Sequence, residues 1–94
     1  MKKNRFNSVW DALEASPAAA ANMKARADLM IALRETIDGW SVSQAAAAKR
    51  LGLTQPRLND LLRGRITKFS LDALMAIASR GGLSVRVEIA RPAA

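Results

Sequence analysis

The chain has 94 residues, half of them apolar, and carries 15 Lys and Arg against 8 Asp and Glu for a formal net charge of +7. That length holds one small domain with a modest core, and the cationic surplus points to a polyanionic partner, either nucleic acid or an anionic membrane face. Cys and His are both absent, which excludes disulfides, thiolate zinc sites and cysteine nucleophiles and removes the usual general base and the commonest metal ligand.

Residues 1–16 give little periodic signal and are read as an N-terminal segment. MKKNRF resembles the basic start of a signal peptide, but Asp11 and Glu14 stand where the apolar stretch of such a peptide belongs. Ser8 can cap a short turn through VWDAL that turns Val9, Trp10 and Leu13 toward the core. No apolar run approaches the ~20 residues of a spanning helix, so the expected setting is the cytoplasm and no membrane partner.

From Pro17 the pattern becomes helical. Met23, Ala27, Met30, Leu33 and Ile37 recur at steps of three and four and form one apolar stripe. Lys24–Asp28 and Arg34–Asp38 are i,i+4 ion pairs on the wet side, each worth a few tenths of a kcal/mol, and Gly39 is the expected C-terminal stop. Ser43 caps a second helix, AAAAKRL, that stops at Gly52. Thr54 caps a third, in which Pro56 lies in the first turn and needs no donor. Leu58, Leu61 and Leu62 form its buried side, and Gly64 closes it. Ser70 caps a last helix through Leu71, Leu74, Ile77 and Ala78, with Asp72 near its positive end, and Gly81-Gly82 stops it. In LSVRVEI the period changes to two: Leu83, Val85, Val87 and Ile89 alternate with Ser84, Arg86 and Glu88, the pattern of a half-buried strand. The boundaries are thus 1–16, a helical domain over 17–82, and a strand and tail over 83–94.

LGLTQP, between two helical runs, joins short helices through a tight glycine turn, which forces a steep crossing. A small residue, Ala48, suits the close approach of the backbones, Gly52 permits a left-handed turn, and Leu58 packs back from the second helix of the pair. With Gln44 counted as first, the small fifth, glycine ninth and aliphatic fifteenth residues resemble the helix-turn-helix of phage-repressor and Cro-like regulators, the XRE group, as do Gln44 and Gln55 themselves. LGLTQPRLNDLLRGRITKFSLDAL followed by GLSVRVEI is similar to a subfamily of small regulators that includes HigA-like antitoxins encoded beside RelE/HigB-like toxins. The resemblance covers roughly Asp28 to Ile89, with a linker GWSV slightly longer than usual.

That resemblance implies an all-α, λ-repressor-like bundle of about five helices with a C-terminal strand pairing across a dimer. It also implies a repressor of double-stranded DNA that doubles as an antitoxin, with a RelE/HigB-like toxin as further partner and no cofactor. Lys49, Arg50, Arg57, Arg63, Arg65 and Lys68 share a twenty-residue window with Asp60 as its sole carboxylate, +5 of the total +7, the electrostatic footprint of a DNA-binding face.

In this geometry the second helix of the motif enters the major groove. Its outward residues are Gln55, Pro56, Arg57, Asn59, Asp60 and Arg63. Gln55 and Asn59 suit adenine, Arg57 suits guanine, Pro56 offers apolar contact to a thymine methyl, and Asp60 either accepts from cytosine or orients Arg57 or Arg63. Gln44, Thr54, Arg65 and Lys68 are the expected phosphate contacts. Trp10 and Trp40 are read as core or rim residues. Catalysis has no candidate residues and no metal is expected; the rival reading is an adaptor that neutralises a toxin with little affinity for DNA.

The tail sets assembly. An antiparallel pair centred on Val87 places Val85 opposite the partner's Ile89 and Arg86 opposite its Glu88, whereas centring on Arg86 opposes two arginines. Val85, Arg86, Val87, Glu88 and Ile89 are therefore the expected interface of a homodimer reading a near-palindromic operator.

Overall fold

The computed structural model describes residues 16–92. Among these residues four α-helices follow one another, α1 Pro17–Trp40, α2 Gln44–Leu51, α3 Gln55–Leu62 and α4 Leu71–Arg80, with one 3-10 turn, Ile66–Lys68, between α3 and α4. The expected turn through VWDAL, and with it Ser8 and Trp10, lies outside the described residues.

Each helix begins on a side-chain oxygen. Ser16, Ser43, Thr54 and Ser70 accept from the backbone N–H three residues on, at 3.0, 3.1, 3.2 and 3.1 Å. Such a cap satisfies one donor that the first turn leaves without a partner and stabilises the helix by about 1 kcal/mol. Pro17 and Pro56 sit in first turns, where their missing N–H costs nothing.

Three helices end the same way. At the end of α2 the Leu53 N–H reaches the Ala48 carbonyl (2.8 Å) and the Gly52 N–H that of Lys49 (3.1 Å), with Gly52 at φ +68°. At the end of α3, Arg65 bonds back to Asp60 and Gly64 to Leu61, with Gly64 at φ +71°. At the end of α4, Leu83 bonds back to Ala78 and Gly82 to Ser79, with Gly82 at φ +82°. These are Schellman closures, in which a left-handed residue lets two N–H groups fold back onto the last carbonyls. Leu53 and Leu83 complete theirs by packing against the core.

The core is one cluster. Met30, Leu33 and Ile37 of α1 meet Ala47, Ala48 and Leu51 of α2, Leu58 and Leu61 of α3, Phe69 of the loop, and Leu74, Ile77 and Ala78 of α4. It contains no polar side chain. Met23 and Ala27, from the same predicted stripe, are half-buried.

Three expectations need correction. Gly39 does not stop α1; the helix continues to Trp40 and the left-handed residue is Ser41, at φ +53°. Trp40 packs against the core, and that contact carries the helix past a glycine that would otherwise end it. Leu62 is half-buried rather than buried, at the rim of the cluster. Arg34 does not pair with Asp38: it donates to the Leu62 carbonyl at 2.6 Å, tying α1 to the last turn of α3, whereas Lys24–Asp28 forms at 3.1 Å. Within the single chain the sequence LSVRVEI forms no strand among the described residues. Leu83 returns to the core, and Val87 and Ile89 are 78% and 81% exposed.

Candidate nucleic-acid interface

The motif is built by Ala48 and Gly52 together. Ala48 is buried in the core beside α3, and its carbonyl closes the turn by accepting from Leu53. Gly52 supplies the left-handed backbone, and Thr54 restarts the chain as the cap of α3. Leu58 is fully buried and anchors α3 in the core. The opposite side of α3 is thereby turned outward.

On that outward side Gln55, Pro56 and Arg63 are exposed, while Arg57, Asn59 and Asp60 are half-buried. The flanking residues Gln44, Thr54, Arg65 and Lys68 are all exposed, Gln44 and Gln55 as the first residues of α2 and α3. The Thr54 hydroxyl is occupied as a cap, accepting from Arg57 N–H. Among the described residues, the side chains of Gln44, Gln55, Asn59, Arg63 and Lys68 make no hydrogen bond or ion pair, so their donors face solvent.

The charged groups of this face are held in ways that periodicity does not reveal. Asp60 pairs with Arg65 at 3.1 Å, not with Arg57 or Arg63. The Schellman closure explains the choice: the Arg65 backbone already bonds to the Asp60 carbonyl, which brings the two side chains side by side where other closures place an apolar pair. Arg57 is held against the loop that follows α3. Its guanidinium donates to the Lys68 carbonyl at 2.6 Å and its central carbon sits 4.0 Å from the Phe69 ring centroid. Arg50 stacks in the same way on Trp40, also at 4.0 Å. Trp40 is thus a half-buried rim residue with a cation over its ring.

Sequence reasoning missed Arg26 of α1. Its Nη1 donates to both the Ile66 and the Phe69 carbonyls at 3.2 Å. Arg80 likewise donates to the Leu51 carbonyl at the end of α2, at 3.4 Å. An arginine set within an apolar stripe is a weak signal for such a role, because the acceptors lie far along the chain.

The consequence is electrostatic. Arg50 and Arg57 are fixed by a ring and by a carbonyl, neither of which cancels their charge, and among the described residues Arg65 alone in the basic window faces a carboxylate. The face therefore presents ordered cations and free polar donors, a combination suited to a phosphate backbone with base edges between its strands. Among the described residues no group of acidic side chains could hold a metal ion, and no helix is long and apolar enough to cross a membrane.

Comparison with known proteins agrees with this geometry. The helix-turn-helix domain family matches residues 12–90. A solved structure named as a candidate XRE-family transcriptional regulator superposes with a TM-score of 0.71 at 33% sequence identity, over 78% of this chain and 82% of that one. No curated protein matches the chain. With the turn at Gly52, the buried Ala48 and Leu58 and a family match that spans most of its length, the chain belongs to the helix-turn-helix domain family, in its XRE group.

Proposed function

We propose that the protein is a sequence-specific regulator that binds double-stranded DNA through α3 and represses transcription. The observation that carries this is the outward face of α3: Gln55, Pro56 and Arg63 stand exposed at the motif's second helix, with uncancelled cations around them. Gln55 and Asn59 read adenine, Pro56 contacts a thymine methyl, Asp60 steadies Arg65, and Arg63 reaches a base or phosphate at the helix end. Gln44, Thr54, Arg65 and Lys68 hold the backbone and carry no sequence information.

The functional unit is a homodimer joined by its C-terminal tails. The exposure of Val85, Val87 and Ile89, apolar and alternating with polar residues, supports this. A two-fold pairing centred on Val87 presents two copies of α3 to half-sites about one helical turn, ~34 Å, apart. The finer role is that of an antitoxin that represses its own operon, a reading that rests on the likeness of Asp28 to Ile89 to HigA-like regulators. A RelE/HigB-like reading frame beside the gene, whose product binds this chain, supports that role; a gene without such a neighbour leaves a plain repressor.

Selection of duplexes from a random pool by the full chain tests the main reading. Enrichment of an inverted repeat, with affinity that falls steeply as salt rises, is the expected result. No enrichment at any salt concentration overturns it.

A further inference from the structure

Sequence pattern places Arg57 among the base readers, but its surroundings give it other work. We infer that Arg57 is a positioning residue that clamps the loop Arg65–Phe69 onto α3 and so fixes where Arg65 and Lys68 meet the phosphate backbone. The inference rests on the DNA reading above and deepens it.

Three observations carry it. Arg57 is half-buried, whereas its neighbours Gln55 and Pro56 are exposed. Its guanidinium is engaged on one face by the Phe69 ring, at 4.0 Å, and at one edge by the Lys68 carbonyl, at 2.6 Å. To present the edge that carries Nη1 to a guanine it would have to give up the Lys68 carbonyl. Lastly, the loop is gripped from a second side as well. Arg26 of α1 donates to the Ile66 and Phe69 carbonyls, so carbonyls of three loop residues accept from two arginines on different helices.

The chemistry of this clamp suits a face that must remain positive. A carboxylate holding the loop would cancel a cation, as Asp60 does for Arg65. Carbonyls and a ring hold Arg57 while leaving its full charge in place, and in a chain without histidine the planar guanidinium is the one cationic side chain that can stack on Phe69 and donate sideways at once. Lysine, a point charge on a flexible stem, cannot reproduce that geometry.

The test uses the full chain and the duplex that the wild-type protein enriches from a random pool. In NMR spectra of the free protein, the Arg57 Nε–H signal is expected to lie upfield through the Phe69 ring current, and to stay there when the duplex is added. Arg57→Ala and Arg57→Lys are expected to weaken binding by one common factor, roughly tenfold, on that duplex and on each of its single-base variants. Phe69→Leu is expected to weaken wild-type binding while adding nothing in the Arg57→Ala background. An Arg57 signal that leaves its upfield position on binding, or a loss confined to one base-pair position, makes Arg57 a base reader and overturns the inference. Should Phe69→Leu fail to fold, the NMR signal and the base-variant series decide alone. A wild-type chain that enriches no duplex refutes the DNA reading itself, and with it the inference, before any variant is made.

Discussion

Replacing Gly52 by alanine isolates the cost of backbone handedness at the motif turn. Gly52 sits at φ +68°, and a Cβ built there meets only the Arg80 side chain, at 3.5 Å from Cδ, 3.6 Å from Nε and 3.7 Å from Nη1. Those are ordinary van der Waals distances, so no clash contributes. What remains is the left-handed conformation, about 1–2 kcal/mol for an L-residue. Against it stands the smaller conformational entropy of an unfolded chain with alanine, about 0.4–1 kcal/mol. The net loss is about 1 kcal/mol, which in a domain of this size lowers Tm by roughly 4–8 °C. Gly52→Asn is expected to cost less, because asparagine tolerates the left-handed region. Gly39→Ala supplies the opposite sign: Gly39 lies inside α1 with nothing within 4 Å of its added Cβ, so the change is expected to stabilise the fold by up to about 1 kcal/mol through helix propensity and to raise Tm. Thermal melts followed by circular dichroism read all three. A neutral or stabilising Gly52→Ala, or Asn costing as much as Ala, would refute the handedness argument.

Ala48→Val adds a branched side chain at a buried position beside α3; overpacking is expected to cost about 1–3 kcal/mol in urea unfolding and to lower duplex affinity by more than the stability loss accounts for. Asp60→Asn removes the Arg65 ion pair, whose partners are partly exposed, so its stability cost is expected to stay below about 1 kcal/mol while affinity for non-specific duplex rises as Arg65 is released. Val87→Asp is expected to set two carboxylates together at the tail's two-fold axis, giving monomers in sedimentation and weak operator binding; a tight dimer would sink the Val87-centred pairing.

Much of this architecture is legible because it depends on local chemistry. Ser43, Thr54 and Ser70 cap because a short side-chain oxygen precedes a helical pattern, and Gly52, Gly64 and Gly82 end helices because a left-handed residue is needed there. The same signals went unread at Ser16, which caps α1 just as the others do. They misled at Gly39, where tertiary contact at Trp40 outweighs a local preference. The arginines were the hardest to place. Arg34 bonds a carbonyl 28 residues away and Arg26 one 43 residues away, and no periodicity encodes a reach of that kind. Pattern counts Arg50 in the basic window and Arg57 among the base readers; only the assembled fold puts Trp40 and Phe69 beneath them. The tail shows the converse limit. Its alternation is clear, but a strand exists only when a second strand accepts its hydrogen bonds, and a single chain provides none among the described residues.

The central claim is that α3 reads base edges while the flanking cations hold phosphates, and Gln55→Ala set beside Lys68→Ala tests it most directly. Both side chains are exposed, neither is buried in the core, and neither makes a hydrogen bond among the described residues, so folding is expected to be unaffected. Affinities are measured for the selected duplex and for every single-base variant of it, across a range of salt. The account predicts that Gln55→Ala loses about 1–3 kcal/mol on the selected duplex and becomes indifferent to one base-pair position. It predicts that Lys68→Ala weakens all duplexes alike and makes the salt slope shallower by about one unit. Equal losses on every duplex for Gln55→Ala, with no position relaxed, would contradict it.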